Sequence, residues 1–353
     1  IWLRRAALEK LGIPLDEPTA FEAVGNVELV RVRDTCHNVV GYLPGETDTT
    51  VIVGAHLDHI GYGGPGSGSL YAGAEPMIHN GADDNASGIA AMLELARYYS
   101  AKDEPTHYSM LFIGFTGEEK GLMGSNFYSN NPTIDAGLIR MMVNMDMIGR
   151  LRREGKGLAI FGTGTATQFV EYFENLKNEN TEFTSKEPGT GPSDYTSFYN
   201  RGIPVLGFFT GAHEYYHKPS DDLEHIDPDG ILRVAGMVTD FIDHFDRDVG
   251  ELDFQKVKDP NSEKRRSAFS VTLGIMPDYI AEVKGLRVDG VQPERPGDRG
   301  GMLTGDIIVK MGEYVVDDIY TYMDVLSKYR KGDSIIVVVE RDGKNVELDV
   351  IFE

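Results

Sequence analysis

The sequence predicts an α/β fold on a mostly parallel central sheet flanked by helices, followed by a small strand-rich second domain. Three observations carry the prediction. Residues 48–250 alternate short apolar runs with helical patterns and Gly-rich turns, as chains of βαβ units do. Residues 246–266 are charged and poor in apolar side chains and carry Pro260, which reads as a linker. Beyond them, two runs with period-two alternation flank Asp342-Gly343, a hairpin signal.

The elements follow in order. Residues 50–55 form a buried strand ending in a small-residue turn, and 89–99 carry apolar side chains at helical spacing. Residues 108–115, 141–145 and 203–209 are further apolar strands, and 231–245 is a helix. In the last segment, strands at 334–340 and 345–352 follow a helix near 320–329. The expected domains are an N-terminal segment (1–37, truncated or a linker), an α/β domain (38–246), a linker (247–266) and a strand-rich domain (267–353).

The 353 residues carry 34 Lys+Arg against 56 Asp+Glu, a formal charge of -22, which repels phosphate backbones and argues against a nucleic-acid partner. One cysteine, Cys36, makes no intrachain disulfide and no cysteine-rich metal site, so a metal here relies on His, Asp and Glu. No run approaches the roughly 18 apolar residues of a membrane span. The chain opens on Ile1-Trp2-Leu3-Arg4-Arg5, neither an initiator Met nor a signal peptide, so a processed or truncated form is expected.

Open α/β sheets bind ligands beyond the carboxyl ends of their strands, and polar clusters stand there. His56-Leu57-Asp58 follows the first strand, an imidazole two residues from an acid that can orient it. Asp83-Asp84-Asn85 opens the first helix, where such residues also serve as caps. Glu118-Glu119 follows the next strand; adjacent side chains diverge, so one acid can ligate while the other moves protons. Asp146 stands in an apolar run and needs a partner, which a cation would supply. His213 and His217 share a loop with Tyr215 and Tyr216.

The runs His56-x-Asp58, Gly81-Ala82-Asp83-Asp84-Asn85, Glu118-Glu119-x-Gly121, Asn144-x-Asp146 and Tyr216-His217-x-Pro219-x-Asp221, in this order, resemble the M28 family of co-catalytic zinc aminopeptidases over residues 38–245. The resemblance implies two Zn2+ ions, one held by His56, Asp83 and Asp146 and the other by Glu119, Asp83 and His217, with Asp83 bridging. It implies Glu118 as general base, Asp58 as the partner of His56, and a cis bond between Asp83 and Asp84. Tyr215 or Tyr216 is a candidate donor to the tetrahedral oxyanion, and Asp194 is structural or lines the substrate pocket. His59 and His79 are read as lying outside the ligand set, and His217 is preferred to His213. Gly61 to Gly68 is read as a mobile loop over the site.

The C-terminal segment resembles a PDZ domain of the bacterial protease-associated type, with Leu273-Gly274-Ile275 as its carboxylate-binding loop. That implies capture of a peptide or protein C-terminus by β-augmentation, or else simple docking on the catalytic domain. The leading expectation is a zinc aminopeptidase acting on peptides and exported, to a periplasm or beyond, from a bacterium. Three readings compete with it: a glutaminyl cyclase on the same fold, a carboxypeptidase using Arg150, Arg152 or Lys218, and a non-catalytic peptide-binding scaffold.

Overall fold

The structure, a computed structural model, describes residues 34–64, 67–71, 73, 75–151, 157–178, 183–247, 250–257, 271–278, 281, 283–291 and 294–352. The readings that fall on 1–33, on 248–249 and 258–266 of the linker, on 267–270 of the last domain, and on Pro65, Gly66 and Arg152 lie outside these residues. By its internal contacts the chain divides into two compact units, Ile1–Thr35 and Cys36–Glu353, and both sheets described below belong to the second.

The first sheet has seven strands in the order β1-β3-β2-β4-β7-β5-β6. Its centre is parallel: β2 (Thr47–His56) lies between β3 (Tyr108–Phe115) and β4 (Ile139–Met145), and β7 (Val205–Phe209) continues beside β4. β1 (Val39–Leu43) pairs antiparallel with β3 at one edge. At the other, β5 (Ala159–Phe161) runs antiparallel to β7 and parallel to β6 (Thr184–Lys186).

Both faces of the central strands are covered, so their apolar runs are continuous. Val51, Val53, Met110, Phe112, Met141 and Val143 point into one core, while Ile52, Leu111, Ile113 and Met142 point into the other, the period-two split of a strand. The first core is closed by α1 (Gly88–Ser100), α3 (Thr167–Asn178) and α5 (Pro228–Arg247). On α5, Val234, Val238, Phe241 and Phe245 recur at three- and four-residue steps and are all buried. Tyr128 of α2 (Met123–Asn130) and Phe198 of α4 (Tyr195–Tyr199) help fill the second core.

The second sheet runs β13-β12-β10-β9-β8, with β11 (Tyr314–Val315) paired to β10. Its strands are β8 (Ile275–Pro277), β9 (Leu286–Val291), β10 (Ile307–Met311), β12 (Ser334–Arg341) and β13 (Lys344–Ile351), all paired antiparallel. Asp342 and Gly343 turn the last hairpin with φ of 51° and 71°, the left-handed pair that a two-residue loop demands. Besides the short α6 (Pro296–Arg299), this region contains α7 (Ile319–Leu326), whose first turn is closed by Asp318 accepting from the Thr321 amide at 2.7 Å. The buried Asp306 accepts two bonds from the Arg341 guanidinium at 2.7 Å each, fastening the hairpin to the turn before β10.

Residues 250–257, within the stretch read as a linker, are held against the first sheet's layers. The Gln255 amide donates to the Thr165 carbonyl at 2.8 Å, and the Phe254 ring lies 5.6 Å from that of Tyr199. An apolar side chain every few residues, including Leu252 and Phe254, gives this charged stretch a face to pack against the first sheet's layers.

Candidate metal centre and substrate pocket

Because β2, β3, β4 and β7 run parallel, their carboxyl ends deliver His56, Glu118-Glu119, Asp146 and the 210–217 loop to one edge of the sheet. The turn Ala82–Ser87, ahead of α1, meets them there. It is stitched to the segment after β4. Asn85 donates from Nδ2 to the Met145 carbonyl at 3.0 Å and accepts at Oδ1 from the Met147 amide at 3.1 Å. Ser87 Oγ accepts from the Ile148 amide at 3.1 Å. From the other side, the Asp221 carboxylate accepts from the amides of Asp83 and Asp84 at 3.0–3.2 Å.

This scaffold turns two neighbouring acids in different directions, and it corrects the expectation for Asp83. The Asp83 carboxylate accepts from the Gly149 amide at 2.7 Å, and its other oxygen faces His213 Nε2 at 3.1 Å. A Cβ at Gly149 would stand 2.8 Å from that same carboxylate, so only glycine fits the approach. Asp84 reaches the cluster in its place. Its Oδ1 lies 3.2 Å from His56 Nε2, and its Oδ2 lies 3.2 Å from His217 Nε2. Asp146 Oδ1 is 3.3 Å from His56 Nε2, and Glu119 Oε2 is 3.0 Å from His217 Nε2. The physical reason is local: Asp84 leaves helical geometry at φ −105°, ψ 87°, which rotates its side chain away from the direction Asp83 takes. The cis bond likewise falls at Asp84-Asn85, not at Asp83-Asp84.

Outer contacts orient both imidazoles. His56 Nδ1 is 3.1 Å from the Asp58 carbonyl oxygen, and His217 Nδ1 is 3.0 Å from that of Gly68, so in each ring Nδ1 donates to a carbonyl and Nε2 faces the acids. Asp58 thus meets His56 chiefly through its carbonyl oxygen; its carboxylate stands 3.9 Å from His56 Nδ1 and also accepts from the Glu118 amide at 3.1 Å. His59, read from the sequence as a bystander, lies in the cluster with Nδ1 2.8 Å from Glu119 Oε1. Its signal was its place one residue after the His-x-Asp run. His79 is buried and ties the overlying loop together through Ser69 Oγ at 2.7 Å.

Two groups of donor atoms therefore converge, His56 with Asp84 and Asp146, and His59 with Asp84 and Glu119, and His217 adds a fourth donor to the second. Tetrahedral zinc with ligands at about 2.0–2.2 Å holds its donors about 3.3–3.6 Å apart, close to the separations between these atoms. Burying three carboxylates together is costly without cations, and the all-oxygen-and-nitrogen donor set suits zinc. Burial works against the charge on Asp84, yet the imidazoles of His217 and His56 hold its carboxyl well below the usual range. Burial lowers His217, but Asp84 and Glu119 outweigh it and push the imidazole up to about 10; His56 is raised in the same way by Asp146 and Asp84.

These protons must leave before the rings can ligate, so protons and zinc compete. Apparent zinc affinity is expected to rise with pH between 6 and 8 by about tenfold per unit for each proton displaced. Chelator competition at three pH values measures the slope, and a flat profile would contradict the ligand roles of His56 and His217.

Beside the cluster lies a cavity of about 190 Å³ lined by His56, Asp84, Glu118 and Asp146 and by apolar side chains. Tyr216 lines it and stacks on His217 at 3.8 Å between ring centres. Tyr215 does not line it; its ring stacks on His225 at 3.9 Å, which corrects its assignment to substrate. Asp194 is fully buried behind the wall, where its neighbours Ser193 and Tyr195 line the cavity, and burial pushes its carboxyl up to about 7. Of the expected peptide-binding loop, Leu273 is buried in the second core, the Gly274 amide donates to Thr272 Oγ1 at 3.0 Å, and Ile275 lines this same cavity.

Residues 38–242 match the model of peptidase family M28, and 253–352 match that of PDZ domains. The chain belongs to peptidase family M28. Among this M28 protein's relatives, a probable leucine aminopeptidase of Trichophyton verrucosum is 28% identical over 67% of this chain and 64% of its own length. Aminopeptidase YwaD of Bacillus subtilis is 32% identical over 45% of this chain and 36% of its own. A solved zinc aminopeptidase from Bacillus subtilis superposes with a TM-score of 0.49 at 24% identity, over 63% of this chain and 51% of that one. The chain thus spans between about a third and two thirds of these relatives. The PDZ match begins at residue 253, inside the stretch read as linker.

Proposed function

We propose that this M28 protein is a zinc-dependent aminopeptidase that hydrolyses the N-terminal bond of peptides at a two-zinc site. The observation that carries the reading is the Asp84 carboxylate, whose two oxygens each stand 3.2 Å from a different histidine, the arrangement of an acid shared by two ions. His56 and Asp146 would complete one site; Glu119 and His217, with His59 beside them, would complete the other. When bound, zinc lowers the pKa of water and polarises a carbonyl as a Lewis acid.

The chain's own residues supply the rest. Glu118 lines the cavity and is absent from both donor groups, so it is free to take a proton from the attacking water and return it to the leaving nitrogen. Asp58 fixes its backbone through the Glu118 amide. Tyr216, which lines the cavity and stacks on His217, would hydrogen-bond the tetrahedral oxyanion, and the acidic cluster would favour a free α-ammonium group over an acylated one. The names of the relatives support an aminopeptidase.

Export from a bacterium, domain limits at 38–246 and 267–353, and capture of a C-terminus by the PDZ domain are parts of the same proposal. They draw on the family resemblance. Among the described residues no helix is long and apolar enough to cross a membrane.

Aminoacyl-p-nitroanilides and their N-acetylated counterparts test the reading. Cleavage of the free amines alone, with about two zinc ions per chain, is expected. Cleavage of the acetylated set, or cyclisation of an N-terminal glutamine without hydrolysis, would move the assignment to another reaction.

A further inference from the structure

The cavity beside the metal cluster is not closed by the first sheet alone. Its wall includes Ile275 and Pro277, which belong to β8 of the PDZ domain. Both residues line the cavity although the pairing with β9 shifts register between Met276 and Pro277, an irregularity of the kind that re-aims a side chain. On its other side Ile275 packs against the second core, which fixes its position. Pro277 has no amide hydrogen to leave unpaired, which suits a strand at the end of the sheet order, where β8 pairs only with β9 among the described residues. Leu70, Phe161 and Phe209, from the catalytic region, add apolar surface to the same lining.

From this juxtaposition we infer that the PDZ domain contributes part of the peptidase's own substrate site. Ile275 and Pro277 are specificity-determining residues that contact an apolar substrate side chain while the scissile bond lies at the acids. The inference rests on the aminopeptidase reading and adds to it a source of selectivity outside the catalytic sheet, which favours peptides with an apolar residue at the N-terminus. Polar or charged side chains would lose hydration against this wall without a partner to replace it. One methylene more or less in such a pocket changes selectivity about tenfold or more.

The test compares kcat/KM for leucine and alanine p-nitroanilides in the full chain, with zinc content and Tm measured for every variant. Ile275→Ala enlarges the pocket and is expected to lower the leucine-to-alanine ratio about tenfold, chiefly through KM. Pro277→Trp fills it from outside the second core and is expected to raise KM for the leucine substrate about tenfold, so the inference does not depend on how well Ile275→Ala folds. Ile351→Ala, on an exposed position of β13, is the control and leaves the ratio unchanged. Ratios within twofold of wild type in both wall variants, with zinc retained, would overturn the inference and leave the aminopeptidase reading standing. A wild type that cleaves neither substrate would overturn both.

Discussion

Glu118→Gln is expected to lower kcat by about 10³-fold, within the range general acid–base groups supply, while zinc content and KM stay near wild type. The substitution keeps size and shape and removes only the ability to cycle a proton. It leaves untouched the Glu118 amide that Asp58 holds. Burial, reinforced by the charges of Asp146, Asp194 and Asp84 and opposed by His56, pushes the Glu118 carboxyl up to about 10. A group so easily protonated is a poor ligand and a good proton carrier once cations offset the surrounding negative charge. Glu119, the adjacent residue, has the reverse environment: burial raises it, but its bonds to His217 and His59 prevail and its pKa is lowered. The environments of two neighbouring glutamates thus push their pKa values in opposite directions, the usual mark of divided labour. Loss of zinc together with activity in Glu118→Gln, or activity kept within fivefold, would remove Glu118 from the proton-transfer role.

The parts of the fold legible in the sequence were those with a strong pattern. The runs that became β2, β3, β4 and β7 are apolar throughout because both sheet faces are covered, and their limits lie within three residues of those expected. β5 and β6 have three residues each, too few to show a period in the sequence. Helix α3 was missed although Phe169, Tyr172, Phe173 and Leu176 have helical spacing, and its packing is made by partners on α5. At the site, residue types and order were readable because each acid or imidazole follows a strand. The choice between adjacent residues was not. Whether Asp83 or Asp84 faces the histidines depends on backbone angles set by contacts to Met147, Gly149 and Asp221, all more than sixty residues away. The approach of β8 to the cavity is a fact of tertiary packing with no sequence pattern at all.

That choice yields the second large effect. Asp84→Asn is expected to reduce bound zinc by at least one ion per chain and abolish hydrolysis, because a neutral amide cannot supply two anionic donors to two ions. Asp83→Asn is expected to keep its zinc. Its side-chain oxygen can still accept from the Gly149 amide, and what changes is the pairing with His213 on the far side. Weakening one buried polar contact of this kind costs about 1–3 kcal/mol, or roughly 2–12 °C in Tm for a domain of this size. The two variants are isosteric and adjacent, differ by one charge in the same way, and therefore separate position from chemistry. If Asp83→Asn sheds zinc while Asp84→Asn retains it, the bridging role passes back to Asp83. If both shed zinc equally, the turn Ala82–Ser87 acts as one rigid ligand whose shape depends on each acid. The expected result, zinc lost in one and only stability lost in the other, would tie metal binding to the Asp84 carboxylate and leave Asp83 as the residue that aims it.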